Sequence, residues 1–329
     1  MNHRERFHAL MRFESVDRLP HVEWASWWDK TIDRWRGEGL RDYLTDPFDI
    51  RVYLGLDPYR QHWLPIHRPG FPAPPAHGLG VIADMSDYER VRPFLYPEAE
   101  ECIDFEALRK TAERQARGEE VVWLTLNGYF WFPRTLLGIQ QHFMAFYEQP
   151  ETMRAINDDL VAHSRRMLDA FCEVCVPDFI TFAEDMTYNH GAMISEDLFD
   201  AFMAPYYRQL TPVLRERGIY GIIDSDGEIA PIIPWFLGVG IDGFLPLERQ
   251  AGCDIAAYRD QYPKARFIGA FDKMVMKEGE AAMRTEFERL LPVMRQGGYI
   301  PSVDHQTPPD VSLETYGVYV RLLKEYCAK

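Results

Sequence analysis

The stretch DFITFAED, residues 178–185, decides the fold. Its short run of apolar, β-branched and aromatic residues has the length of one buried strand, and it ends abruptly in two carboxylates. The same design recurs on both sides. Upstream, VVWLTL (121–126) runs into Asn127 and Gly128. Downstream, YGIID (220–224) runs into Ser225, Asp226 and Gly227, and GFLPL (243–247) into Glu248. RFIGA (266–270) is followed closely by Asp272, and GYIPSV (298–303) by Asp304 and His305. Amphipathic stretches separate these runs, and their spacing predicts helices over 150–174, 196–217, 228–239, 253–261, 279–296 and 313–327. Such alternation indicates parallel strands joined by helices. With one or two strands from the first part of the chain the count reaches about eight, which predicts an α/β fold, a (β/α)8 TIM-type barrel.

The region before the first regular run reads differently. Phe7, Leu10 and Met11 have helical spacing, and Leu19 to Trp24 is the candidate first strand. Trp27, Trp28 and Trp35 are expected on one helix, and the Pro- and Gly-rich segment 64–79 as an extended loop. No stretch has the composition of an interdomain linker. Residues 1–329 are therefore expected to form one barrel domain, with 1–75 as a helical and loop extension packed on it.

Composition narrows the function. The 329 residues carry a formal net charge of −15, and such a surface repels phosphate backbones and anionic membranes. Neither nucleic acid nor a membrane is an expected partner. No apolar run approaches a membrane span, and the N-terminus MNHRERFHALMRF has no signal-peptide core. The five cysteines, an odd number in a long chain, suggest a reducing compartment, with the cytoplasm as the default. Cys172 and Cys175 form a lone CxxC with no second pair, and read as the end of a buried helix.

Five of the six runs are followed by a carboxylate. In parallel α/β folds these positions converge on one mouth, where substrates bind. An Asp or Ser after a strand also caps the next helix, which accounts for Ser195 and Ser312. Asp224 and Asp226, two acids at i and i+2, exceed what a cap needs. Acids gathered this closely repel, so either some hold protons or a cation or cationic substrate lies among them. Asp224, Asp226 and His305, with Glu184 or Glu248 as a fourth, are candidate ligands for a divalent metal.

These residues resemble the uroporphyrinogen decarboxylase superfamily, closest to its branch of corrinoid-dependent methyltransferases. The resemblance runs through RERFHALMRFESVDRLP, FAEDMTYNHGAMISEDLFDAFMAPYYRQL, the DSDG turn, RFIGAFDK and GGYIPSVDHQTPPDVSLETY. It implies a TIM-type barrel and makes a homodimer the expected assembly. Decarboxylases of the superfamily carry an Arg-rich segment of the type MRQAGRY for the substrate's carboxylates. Here the corresponding stretch is HVEWASWWDK, with Glu23 and tryptophans instead. The methyltransferases bind zinc through a His-x-Cys-Gly turn and a later Cys. Here Asp224, Asp226 and His305 stand at those positions, a harder donor set suited to polarising an oxygen.

The resemblance thus implies a methyltransferase that moves a methyl group between a small substrate, a methoxy compound being one class, and a corrinoid protein. Glu184, Asp224, Asp226 and His305 would hold a divalent metal, zinc being the family's ion. Asn127, Tyr188, Glu248, Asp272 and Asp304 would position substrate. Trp24, Trp27, Trp28, Tyr129 and Trp131 are the expected aromatic walls. The alternative is a uroporphyrinogen decarboxylase or a related metal-independent carbon–carbon lyase, using an acid such as Asp272 or Glu184.

Overall fold

A strand buried on both faces must be apolar throughout, and the runs read from the sequence meet that demand. Residues 121–126 and Phe179–Ala183 are buried at every position. The computed structural model describes residues 1–328. Its strands are β1 (Tyr59–Trp63), β2 (Val121–Asn127), β3 (Phe179–Ala183), β4 (Thr187–Tyr188), β5 (Gly191–Ala192), β6 (Tyr220–Asp224), β7 (Gly243–Leu245), β8 (Arg266–Phe271) and β9 (Tyr299–Val303). β4 and β5 form a small antiparallel hairpin. The other seven form one sheet in the order β1-β2-β3-β6-β7-β8-β9, and every neighbouring pair is parallel. Sheet order equals chain order, so the sheet curls in one direction, as in a TIM-like barrel.

The expected eight-strand closure is not formed among the described residues. The ladder stops at β1 and β9. Residues 19–24, expected as the first strand, are not in a ladder. Pro20 has no N–H to give, and the neighbouring groups bond elsewhere. His21 N–H donates to the Asp57 carboxylate (3.1 Å), and Asp57 N–H donates back to the His21 carbonyl (2.8 Å). Trp24 N–H reaches Ser302 Oγ on β9 (3.2 Å), and its indole N–H the Val303 carbonyl (2.7 Å). The segment therefore spans from the residues preceding β1 to β9. The first strand is instead YRQHW at 59–63, whose mostly half-buried residues gave no apolar run.

The predicted helices appear with changed limits. The long helix Pro150–Cys172 is as expected. The stretch 196–217 breaks at Met203 into Glu196–Phe202 and Ala204–Glu216, because Pro205 has no N–H to give to the preceding turn and its ring crowds the carbonyl of Ala201. Trp27 and Trp28 precede their helix, which begins at Asp29. One apolar cluster extends from Phe7 to Cys327. No helix among the described residues is long and apolar enough to cross a membrane.

The N-terminal helix His3–Met11 is tied to the sheet by Asp178, at the end of the barrel away from the strand termini that carry the acids. One oxygen of this buried carboxylate accepts from Arg4 Nε and pairs with His8 Nε2, both at 2.7 Å. The other accepts from Gln115 Nε2 (2.9 Å) and Val122 N–H (2.8 Å). Burial alone would raise its pKa, but His8, Arg4 and Gln115 together hold it below its ordinary value. Its stabilising effect is thus present above the unfolded-state pKa and is lost as pH falls through the folded-state value. Asp178→Ala should cost about 3–5 kcal/mol, because it strands Arg4 and two buried donors. Urea unfolding at neutral pH measures this, and the gap between wild type and variant should close in acid.

Candidate functional site

Parallel register brings the strand ends to one rim. Asn127 pairs with Ala183, Ala183 with Asp224, and Asp224 with Leu245. Just inside this rim lies a cleft of about 310 Å³ lined by Trp24, Ala25, Ser26, Gln61, Trp63, Trp123, Trp131, Ala183, Asp185, Asp224, Asp226, His305 and Gln306. Its inner wall is tied by a chain of hydroxyl and amide bonds. Gln61 Nε2 donates to Thr125 Oγ1 (2.8 Å), which bonds Thr181 Oγ1 (2.9 Å), and the Trp123 indole N–H also donates to Thr181 (2.7 Å).

The acids in the cleft are Asp185, Asp224 and Asp226. Asp226 Oδ2 lies 3.2 Å from His305 Nε2. Burial lowers the His305 pKa, but the hydrogen bond to Asp226 and its charge outweigh this and raise it. Asp185 receives the Asp226 N–H at 3.3 Å. Burial first and the Asp226 charge second push the Asp185 carboxyl up to about 6. The same causes, burial and then the charges of Asp185 and Asp226, raise Asp224 well above the ordinary carboxylate value. Asp185 has φ of 40°, a left-handed conformation uncommon outside glycine and more tolerated by Asp and Asn than by other side chains. The DSDG turn needs its glycine. Gly227 has φ of +89°, and an added Cβ would lie 2.6 Å from Tyr188 N.

The remaining predicted acids have other partners. Glu184 does not join the cluster. Its carboxylate accepts the backbone N–H groups of Tyr129 (2.8 Å), Phe130 (2.8 Å) and Trp131 (3.3 Å), and the Tyr207 hydroxyl. Burial lifts its pKa to about 7 against the pull of these donors. Gly128 leaves room for it, since a Cβ there would sit 2.2 Å from its carboxyl carbon. Glu248 accepts from Gly227 N–H (3.2 Å) and lies 3.6 Å from Lys273 Nζ. Asp304 accepts from Arg249 N–H (2.9 Å) and Lys273 N–H (3.1 Å), with Lys273 Nζ at 3.4 Å. Burial still pushes it up to about 6, against Lys273 and these amides. Asp272 caps Met274 N–H (2.8 Å) and accepts from Gln250 (2.7 Å).

The expected metal set is therefore not assembled. Glu184 is saturated by other donors, and Asp226 and His305 pair with each other. Among the described residues no three His, Cys, Asp or Glu side chains form a group that could hold a metal ion. The donor set as arranged does not fit zinc, and we derive no step through a metal.

Of the predicted aromatic walls, Trp24 and Trp131 line the cleft. Trp27 does not. It packs against Trp35 and Tyr316 with ring centres 5.5 and 5.7 Å away. Tyr129 is fully buried between Tyr206 and Tyr207. Trp28 and Tyr188 are exposed outside the lining, and Asn127 ends β2 without reaching it. The residues missed are Asp185, Gln61, Trp63 and Trp123. Spacing supplies a signal for three of them: Gln61 and Trp63 stand at i and i+2 on β1, and Asp185 stands two residues past Ala183 as Asp226 does past Asp224. Parity selects Asp185 and rejects Glu184. Glu184→Ala should cost about 3–5 kcal/mol in stability by leaving buried N–H groups unpaired, measured by thermal and urea unfolding.

The chain matches the family model described as uroporphyrinogen decarboxylase (URO-D) over residues 84–326. No curated protein sequence matches it. Among solved structures it is similar to a Listeria monocytogenes protein described as a vitamin-B12 independent methionine synthase. That match has a TM-score of 0.50 and 11% identity, and covers 95% of this chain and 98% of that one. A cyclomaltodextrinase aligns with a TM-score of 0.41 and 10% identity, over 94% of this chain and 59% of the other. At such identities the first likeness speaks for the fold alone, and the second carries no weight. The family match spans well over half of the sequence, and the chain belongs to the uroporphyrinogen decarboxylase family.

Proposed function

We propose that this protein is a methyltransferase that moves a methyl group from a small methylated substrate, held in the cleft, to a corrinoid carried by a partner protein. One observation carries the reading. The cleft presents three carboxyl groups and four tryptophans, and no Lys or Arg is among its lining residues. A substrate with many carboxylates, as a uroporphyrinogen has, would meet like charge with no guanidinium to receive it. A small methyl-bearing molecule meets apolar walls and acids.

When bound at the mouth, the corrinoid would supply a strongly nucleophilic metal centre for the methyl carbon. The chain's own residues do the rest. Trp24, Trp63 and Trp131 would enclose the methyl-bearing end and exclude water. Asp185 and Asp224 would face the heteroatom that loses the methyl group. Desolvation raises both carboxyls, Asp185 to about 6, and so favours the protonated form that a departing oxygen would need. His305, held by Asp226, would keep that side of the cleft fixed.

The test is methylation of free reduced corrinoid, followed by its absorption spectrum, with a panel of methyl ethers and methylated amines. Asp224→Asn should lower kcat/KM by about 10²–10⁴-fold without changing the far-ultraviolet circular dichroism. Failure of every donor, together with loss of carboxyl groups from uroporphyrinogen, would replace this reading by decarboxylation. A stoichiometric metal in protein purified without chelator, lost in Asp226→Ala, would restore metal assistance to the mechanism.

A further inference from the structure

The acids of the mouth differ in one respect, namely whether the protein supplies their counter-charge and donors. Glu248 and Asp304 share Lys273, and Asp304 also has two backbone N–H groups. Glu184 has four donors. The cleft acids are not served this way. No described residue donates a hydrogen bond to the Asp224 carboxyl, and Asp185 receives only one long N–H bond, at 3.3 Å. Asp226 has His305. The Arg134 guanidinium, 5.0 Å from the centre of the Trp131 ring, acts on the Asp185 carboxyl through its charge alone, since its hydrogen bond goes to the Asp185 backbone carbonyl.

Several donors of the walls are already committed within the protein. The indole N–H groups of Trp24 and Trp123 are used inside the protein, on Val303 and Thr181. The Gln61 amide is used on Thr125, and that of Gln306 reaches Ser26. Trp24 and Trp123 thus offer the cleft carbon surface and π-electron density, without a hydrogen to give. With three carboxyl groups, four indole rings and no Lys or Arg, such a lining opposes a carboxylate or phosphate. It suits a cation without N–H groups, which needs no acceptor geometry and gains from both carboxylates and indole rings.

From this complementarity we infer that the substrate of the cleft is a methylated ammonium cation, and not a neutral methyl ether. The inference rests on the methyl-transfer reading for its reaction, though its binding test does not. The step balances simply. The methyl carbon–nitrogen bond breaks with both electrons going to nitrogen, and the methyl carbon bonds to the two-electron nucleophile of a reduced corrinoid. The amine leaves neutral and requires no proton. Having lost its charge, the product is held less well by the acids than the substrate was.

Tetramethylammonium, tert-butyl methyl ether as its neutral counterpart, and zinc chloride are titrated separately into the full-length protein by calorimetry, with tryptophan fluorescence as a second readout. Saturable binding of tetramethylammonium is expected, with the ether at least tenfold weaker. Asp224→Asn and Asp185→Asn should each weaken the ammonium by about tenfold or more. These substitutions change charge and not size, and unfolding curves check that both variants fold. Equal or tighter binding of the ether overturns the inference, as does an ammonium affinity untouched by both variants. Zinc that binds and displaces the ammonium also overturns it, assigning the acids to a metal. Methylation of reduced corrinoid separates the two levels. Transfer from ethers alone leaves the methyltransferase reading standing without the ammonium. Ammonium binding with no transfer from any donor keeps the cation site and removes that reading.

Discussion

The buried carboxylate of Glu184 gathers the backbone N–H groups of Tyr129, Phe130 and Trp131. It thereby ties the residue after β3 to the turn after β2. Gly128 must lack a side chain for this to happen. Tyr207, from the helix that leads to β6, closes the same carboxylate. One acid thus links three consecutive units of the sheet at the rim. Trp131 and Arg134 follow directly from that turn, and Asp185 directly from Glu184. The placement of the cleft's tryptophan wall and of one of its acids depends on this anchor. Four donors in a water-excluded setting offset part of the desolvation it costs.

Around this anchor the acids of the mouth divide by environment. Those toward β7, β8 and β9 are bound to Lys273, to backbone amides or to a cap, and they hold the strand ends together. Those at β3 and β6 face space. The raised pKa values of Asp185 and Asp224 share a first cause in burial, and proximity adds to it. Such an arrangement carries a cost, because like charges oppose one another. It is the kind of local cost that recurs where proteins bind or react.

Much of this was legible in the sequence. The six runs from 121 to 303 became strands within a residue or two, because strands covered on both faces are unbroken apolar runs. The rim of acids followed from that, since parallel strands point their ends the same way. β1 escaped notice because YRQHW gives its side chains to the cleft and to solvent as well as to the core. The segment 19–24 had the apolar look of a strand, but Pro20 and the Asp57 carboxylate took it out of the ladder. Among the site residues, Asp224, Asp226, His305, Trp24 and Trp131 line the cleft. Glu184, Trp27 and Tyr129 do not, and the reason is local. A residue type says what chemistry a side chain can do, whereas its parity along the strand says which way it points.

The cleft is also drawn from two unequal parts of the chain. Asp185, Asp224, Asp226 and His305 lie within residues 84–326, where the family match runs. Trp24, Ser26, Gln61 and Trp63 lie before it. The acidic rim therefore belongs to the portion that defines the family, while Trp24, Ser26, Gln61 and Trp63 belong to a portion outside that definition. Two relatives could share the rim and meet it with different walls. Kinship in the barrel would then predict which end of a substrate is worked on, and leave the rest of that substrate to be read from the first eighty residues.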